Sequence, residues 1–206
     1  MKEYPKIQTI YKRDAATKHK RLLEGEFSLP ELEYLAWNKW TFTEKVDGTN
    51  IRVMWDGEKA TFGGKTDAAQ LYAPLFERLQ TLFYAGALAR IFSGPACLYG
   101  EGHGAKIQKG GGNYCQEPDF ALFDICCGDT WLERHNVEEI GNKLECKIVP
   151  IVGRGPLIDA IEATRAGQNS AWGNFLSEGL VMRPAVEMLN RRGHRIITKI
   201  KHKDFQ

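Results

Sequence analysis

The chain has 206 residues and a formal net charge of +2, from 28 basic and 26 acidic side chains. That length suffices for one large domain with its own core, and the charge balance is too even for the total to announce a nucleic-acid partner. Five cysteines, with no C-x-x-C pair, speak against a disulfide framework or a zinc site. No stretch has the apolar length of a signal peptide or membrane span, so the expectation is a cytoplasmic protein with reduced thiols.

Residues 1–40 are mixed in character. Residues 41–62 read as a strand, a tight turn at Gly48 and a hairpin. Within Ile51–Trp55 the alternation sends Ile51, Val53 and Trp55 one way and Arg52 and Met54 the other; Asp56-Gly57 is a hairpin turn signal, with a return strand over residues 59–62. Leu71, Leu75, Leu79 and Leu82 recur at helical spacing, with Pro74 suited to the first turn. Residues 96–101 and 119–126 are short apolar runs that read as buried strands, joined by a glycine-rich loop from Gly102 to Asn113. Val137, Ile140 and Leu144 mark a second helix, and Leu157, Ile158 and Ile161 a third. The chain then runs as strands over 175–183, 186–189 and 195–201, with a turn at Asn190–Gly193. Strands and helices do not alternate regularly, which predicts an α+β fold with antiparallel sheets.

Several positions could carry chemistry. Glu44-Lys45-Val46-Asp47-Gly48-Thr49-Asn50 ends a strand with a lysine beside a glycine turn; an amine nucleophile must be neutral, which burial or neighbouring cations favour. A lysine in such a place is more often a plain surface residue. Glu101 follows an apolar strand and meets the glycine loop. In Phe120–Ile125, strict alternation puts Phe123 on one face and Leu122 and Asp124 on the other, and an aromatic there could stack on a base or simply fill the core. Glu178 stands at a strand start. Lys199 and Lys201 share one face of a strand, where two like charges repel unless an anion lies between them. His103 and His194 read as polar loop residues.

The order of these segments resembles the motif set of the covalent nucleotidyltransferases, which comprise DNA ligases, RNA ligases and mRNA capping enzymes: Lys45-Val46-Asp47-Gly48, Tyr99-Gly100-Glu101, Phe123-Asp124, Glu178-Gly179 and Lys199-x-Lys201. It is most similar to RNA ligases of the nick-sealing repair type (RNA ligase 2-like). The further points of likeness are Thr49-Asn50, Gly104–Lys109, Gly153-Arg154-Gly155 and Lys199–Phe205, and the likeness spans residues 41–206. The resemblance implies the nucleotidyltransferase fold and an ATP-dependent RNA ligase. Lys45 would take AMP from ATP, pass it to a 5′-phosphate end and allow a 3′-hydroxyl to expel it. It places Glu44, Val46, Asn50, Lys65, Glu101, Phe123, Glu178, Lys199 and Lys201 at the nucleotide, and Asp47, Glu101 and Glu178 on water held by Mg²⁺ or Mn²⁺. A DNA ligase, a GTP-using capping-type enzyme and a non-catalytic nucleic-acid-binding module are the alternatives.

Two departures stand out. Lys65 occupies the place of a family arginine that contacts the nucleotide sugar and the RNA terminus; lysine keeps the charge and loses the planar fork. The chain also ends just after the last motif, so the expectation is a single nucleotidyltransferase domain over residues 1–206: a minimal ligase, a fragment, or an enzyme that relies on a partner protein or domain where relatives carry a C-terminal one. Lys106, Lys109, Arg191, Arg192, Arg195 and Lys203 are then the candidates for contact with RNA or mixed RNA/DNA ends.

Overall fold

The computed structural model describes residues 3–206. The chain divides into two compact units, one formed by the N-terminal residues up to Pro5 with Val46–Val149, the other by Lys6–Lys45 with Pro150–Gln206. Among the described residues no helix is long and apolar enough to cross a membrane.

The second of these units is built on a five-stranded sheet of order β1-β13-β12-β4-β11, where β1 is Gln8–Thr9, β4 Trp40–Glu44, β11 Ile151–Gly155, β12 Gly179–Pro184 and β13 Thr198–Lys201. β12 pairs antiparallel with both β4 and β13, and β1 runs parallel to β13. Trp40 and Phe42 alternate into a core shared with Leu180, Met182, Ile200 and helix α5 (Leu157–Ala166), which buries Leu157, Ala160 and Ile161. Ile158, expected on that apolar face, is 36% exposed. A hairpin of β2 (Tyr11–Arg13) and β3 (Leu22–Phe27) adds a small second sheet.

The first unit holds a six-stranded sheet of order β10-β8-β7-β5-β6, with β9 on β8; β5 is Thr49–Trp55, β6 Ala60–Gly63, β7 Ala96–His103, β8 Asp119–Cys127, β9 Thr130–Trp131 and β10 Lys147–Ile148. The Asp56-Gly57 turn forms as its sequence predicts: Asp56 Oδ1 accepts from the backbone of Glu58 and Lys59, and Gly57 supplies φ +111°. Helix α2 (Ala73–Leu82) buries Leu75, Leu79 and Leu82, while Leu71 precedes it and packs on the same core; α4 (Arg134–Lys143) buries Val137. Two pairings, β1 with β13 and β10 with β8, are parallel within an otherwise antiparallel framework.

The structure corrects four details. β4 and β5 belong to different sheets in different units, so the tight turn read at Gly48 is the segment where the chain passes from one unit to the other. Residues 175–178 and 186–189 are not strands; β12 begins at Gly179 and β13 at Thr198, and only isolated bridges join Asn169 to Leu176 and Leu189 to Arg195. His103 lies at the end of β7 and is fully buried, not in the loop. Finally, β8 does not alternate strictly. Tyr99 opposes Asp124 and Gly100 opposes Leu122, leaving Phe123 as the extra residue of a β-bulge. Leu122 and Ile125 therefore both enter the core, while Asp124 and Phe123 both meet Tyr4.

Candidate active site

Lys45 directly follows β4. Its backbone N–H donates to the Gly179 carbonyl at 2.9 Å, which extends the β4–β12 ladder by one residue and brings Lys45 beside Glu178. The Lys45 ammonium then donates to Glu178 Oε2 at 2.6 Å, and Lys201 Nζ reaches Glu178 Oε1 at 2.5 Å. One carboxylate thus holds two lysines, one on each oxygen, with all three side chains less than a quarter exposed. Burial pushes the Glu178 carboxyl up, but the charge of Lys45 and the bonds from both lysines outweigh it and hold the group below its ordinary value. Lys199 and Lys201 are half-buried and Thr198 and Ile200 buried, so the two lysines share a face of β13 as their spacing predicts.

A protein carboxylate thus stands between Lys45 and Lys201. The sequence suggested an anion between Lys199 and Lys201, and cations as the neighbours that would keep Lys45 neutral. In the structure Lys45 is ion-paired with Glu178, so its amine must lose a proton and leave that contact before it can attack.

Glu44 points the other way along β4. It is 1% exposed, in the row of Trp40 and Phe42; its Oε1 accepts from the Ser170 hydroxyl at 2.6 Å and its Oε2 from the Ala171 backbone at 2.8 Å. Both oxygens thus anchor the loop 168–177, a role that the sequence did not disclose. Ser170 and Ala171 carry no motif that could have flagged them.

In the other unit, the Asp47 carboxylate accepts from the Gly110 backbone at 3.0 Å while its own N–H approaches the Tyr114 hydroxyl at 3.4 Å, so Asp47 ties down the glycine loop that bears Lys106 and Lys109, both exposed. Gly48 is required here: a Cβ on it would strike the Gly102 carbonyl and come within 2.9 Å of Glu101 Cγ. Glu101 and Asn50 are directly paired across β5 and β7, and Asn50 Oδ1 is buried without a hydrogen-bond partner. Val46 is buried and Lys65 exposed. Phe123 is half-buried, its ring edge-on to Tyr4 at 5.1 Å, and Tyr4 donates its hydroxyl to Asp124 at 2.6 Å. Arg52, on the same strand face as Asn50, is fully buried and donates to the Gly64 carbonyl and to Asp67, which fixes the loop carrying Lys65.

Of the surface cations, Arg191, Arg192 and Lys203 are exposed. Arg195 is corrected: its side chain is 3% exposed, and both arms of its guanidinium are taken by Glu187 at 2.5 and 2.9 Å, so it offers no fork to a phosphate. His103 stacks on Tyr114 with centroids 5.7 Å apart, and burial lowers its value to about 4. Among the described residues no group of three or more His, Cys, Asp or Glu could cage a metal. Asp47 and Glu101 in one unit and Glu178 in the other each carry carboxylate oxygens, the donor type that a hard cation prefers.

A family model described as RNA ligase matches residues 38–201, from just before β4 to the last residue of β13. The chain belongs to the RNA ligase family. Solved structures of a Naegleria gruberi RNA ligase share the fold. An apo variant matches with a TM-score of 0.69 and 18% identity over 98% of this chain. A variant with ATP and Mn matches at 0.67 and 21% over 85%, and one with AMP and Mn at 0.67 and 19% over 97%. The RNA ligase family member described here spans 54–60% of the length of those three relatives.

Proposed function

We propose that this chain is an ATP-dependent RNA ligase, and that residues 1–206 form its nucleotidyltransferase domain. The observation that carries the reading is the Lys45–Glu178–Lys201 cluster, in which family motifs far apart in sequence meet at one carboxylate. The free amine of Lys45 attacks the α-phosphorus of ATP; a phosphorus–nitrogen bond forms, the α–β bridging bond breaks, and pyrophosphate leaves. AMP then passes to a 5′-phosphate end of RNA or of a mixed RNA/DNA strand, and a 3′-hydroxyl displaces it to close the phosphodiester. Lys45 gives a proton to solvent before attack, and Glu178 positions the amine. Lys199 and Lys201 neutralise the charge developing on the α-phosphate. Phe123 stacks on adenine, while Asn50 and Glu101 bond the nucleoside; the buried, unpartnered Asn50 Oδ1 supports a polar ligand atom there. Asp47, Glu101 and Glu178 would hold the waters of Mg²⁺ or Mn²⁺, which supplies charge neutralisation at the phosphates. Lys65 stands in for the family arginine, Val46 packs beneath the nucleotide, and Lys106, Lys109, Arg191, Arg192 and Lys203 contact RNA phosphates. A partner protein or further domain completes end recognition, and the reaction belongs in the cytoplasm.

Incubation with radiolabelled ATP or GTP and Mg²⁺ or Mn²⁺ tests this. Label from ATP on wild type and none on Lys45→Ala is the expected result. Label from GTP alone would make it a capping-type enzyme, and no label from either would leave a binding module.

A further inference from the structure

Away from the nucleotide-site and C-terminal cations, a dense run of basic side chains lies in the turn joining β2 to β3. Lys18, His19, Lys20 and Arg21 are consecutive and all exposed. The hairpin's acids are already matched: Glu26 pairs with Lys12 at 3.2 Å and Glu24 with Arg165 at 2.6 Å, while Asp14 caps the turn by accepting from the Ala16 backbone at 2.8 Å. Asp14 keeps its charge, and the three cations Lys18, Lys20 and Arg21 leave a net excess of positive charge at the tip.

The tip is also rigidly shaped. Lys18 and His19 both hold left-handed backbone, at φ 54° and 62°, a conformation that side chains other than glycine rarely adopt. It persists because hydrogen bonds over-determine it: His19 N–H to the Asp14 carbonyl at 2.9 Å, Arg21 N–H to Thr17 Oγ1 at 3.2 Å, and Arg13 Nη1 to the His19 carbonyl at 3.2 Å.

Arg13 gives the turn its register. Its Nη2 donates to Asp204 Oδ1 at 2.8 Å, and Asp204 Oδ2 accepts from the backbone N–H of Lys201 at 3.1 Å. One buried carboxylate thus fastens the cationic hairpin to the strand that bears Lys201.

We propose that this turn is a docking surface for the sugar–phosphate backbone of RNA, built by Lys18, His19, Lys20 and Arg21 and set at a fixed offset from the nucleophile cluster. The proposal rests on the ligase reading for the identity of the polyanion. A membrane surface fits less well, since the tip carries cations and no apolar side chain to insert.

The test is the triple variant Lys18→Asn, Lys20→Gln, Arg21→Gln, with asparagine at position 18 because it tolerates left-handed backbone. Binding of a fluorescein-labelled nicked RNA duplex is followed by anisotropy across a salt series. The variant should bind about tenfold or more weakly at low salt, with the log–log salt slope shallower by about 2–3, while label from ATP stays at the wild-type level. An unchanged slope and affinity would overturn the proposal. So would loss of binding to phosphatidylserine vesicles with duplex binding intact. If the triple variant loses the ATP label too, Lys20→Gln and Arg21→Gln carry the test singly: each should lower the slope by about 1 with labelling intact, and a wild-type slope in both sinks the idea. Absence of ATP label on the wild type would refute the ligase reading, while the duplex titration would still report on this surface.

Discussion

Lys45 Nζ lies 2.6 Å from Glu178 Oε2, a contact between residues 133 positions apart. Lys201 completes it at the other carboxylate oxygen. Replacing Glu178 by glutamine removes the charge that two largely buried ammonium groups share. The expected cost is about 1–3 kcal/mol of stability, together with a fall in self-adenylylation of about 100-fold. Because the folded carboxyl lies below its ordinary 4.5, this stabilisation is complete above that pH and is lost as pH falls through the folded value. Melting curves of wild type and Glu178→Gln should therefore differ most near neutrality and converge in acid. A gap that stays constant down to low pH would contradict the assignment.

Glu44 should act through loop 168–177. Glu44→Ala leaves the Ser170 hydroxyl and the Ala171 N–H without their acceptor in a buried setting, at about 1–3 kcal/mol. Ser170→Ala removes one donor and should cost less. Hydrogen exchange would show amides 168–177 opening in Glu44→Ala while β12 keeps its protection; uniform loss of protection would argue against a local anchor.

His103 should stay neutral well below the ordinary histidine range. Burial lowers its value from 6.5 to about 4, against the opposing pull of Asp119. The unfolded chain therefore takes up this proton first, and stability falls as pH drops from 6.5 towards 4, by up to about 3 kcal/mol. Its ring NMR signals should hold still between neutrality and about pH 5, and His103→Phe should flatten the melting temperature against pH over that window. Movement of those signals near pH 6.5 would refute it.

Gly179 has φ +152°, and a Cβ there would meet the Ile200 carbonyl and come within 2.7 Å of Lys201 Cα. Gly179→Ala must push β13 away from β12, taking Lys201 off Glu178. Labelling by ATP should drop about tenfold or more, with a loss of about 1–3 kcal/mol. Wild-type labelling in this variant would show that the register of β13 is not needed.

The local chemistry was legible in the sequence. Asp56-Gly57 announced its hairpin, the leucines at 75, 79 and 82 their helix, and the ordered motifs the family, because turn geometry and side-chain periodicity are short-range properties of the chain. What the tertiary structure alone decided lies in long-range partners. Which strands share a sheet depends on hydrogen bonds between distant segments, so the break between β4 and β5 was invisible at Gly48. The Phe123 bulge arises from register with β7, which strict alternation cannot foresee. The same holds for charge: position 195 reads as a free cation until Glu187 folds onto it, and the Glu44 carboxylate has no legible partners until Ser170 and Ala171 meet it. A charged side chain's role is fixed by what lies within about 3 Å of it, and composition and spacing do not encode that distance.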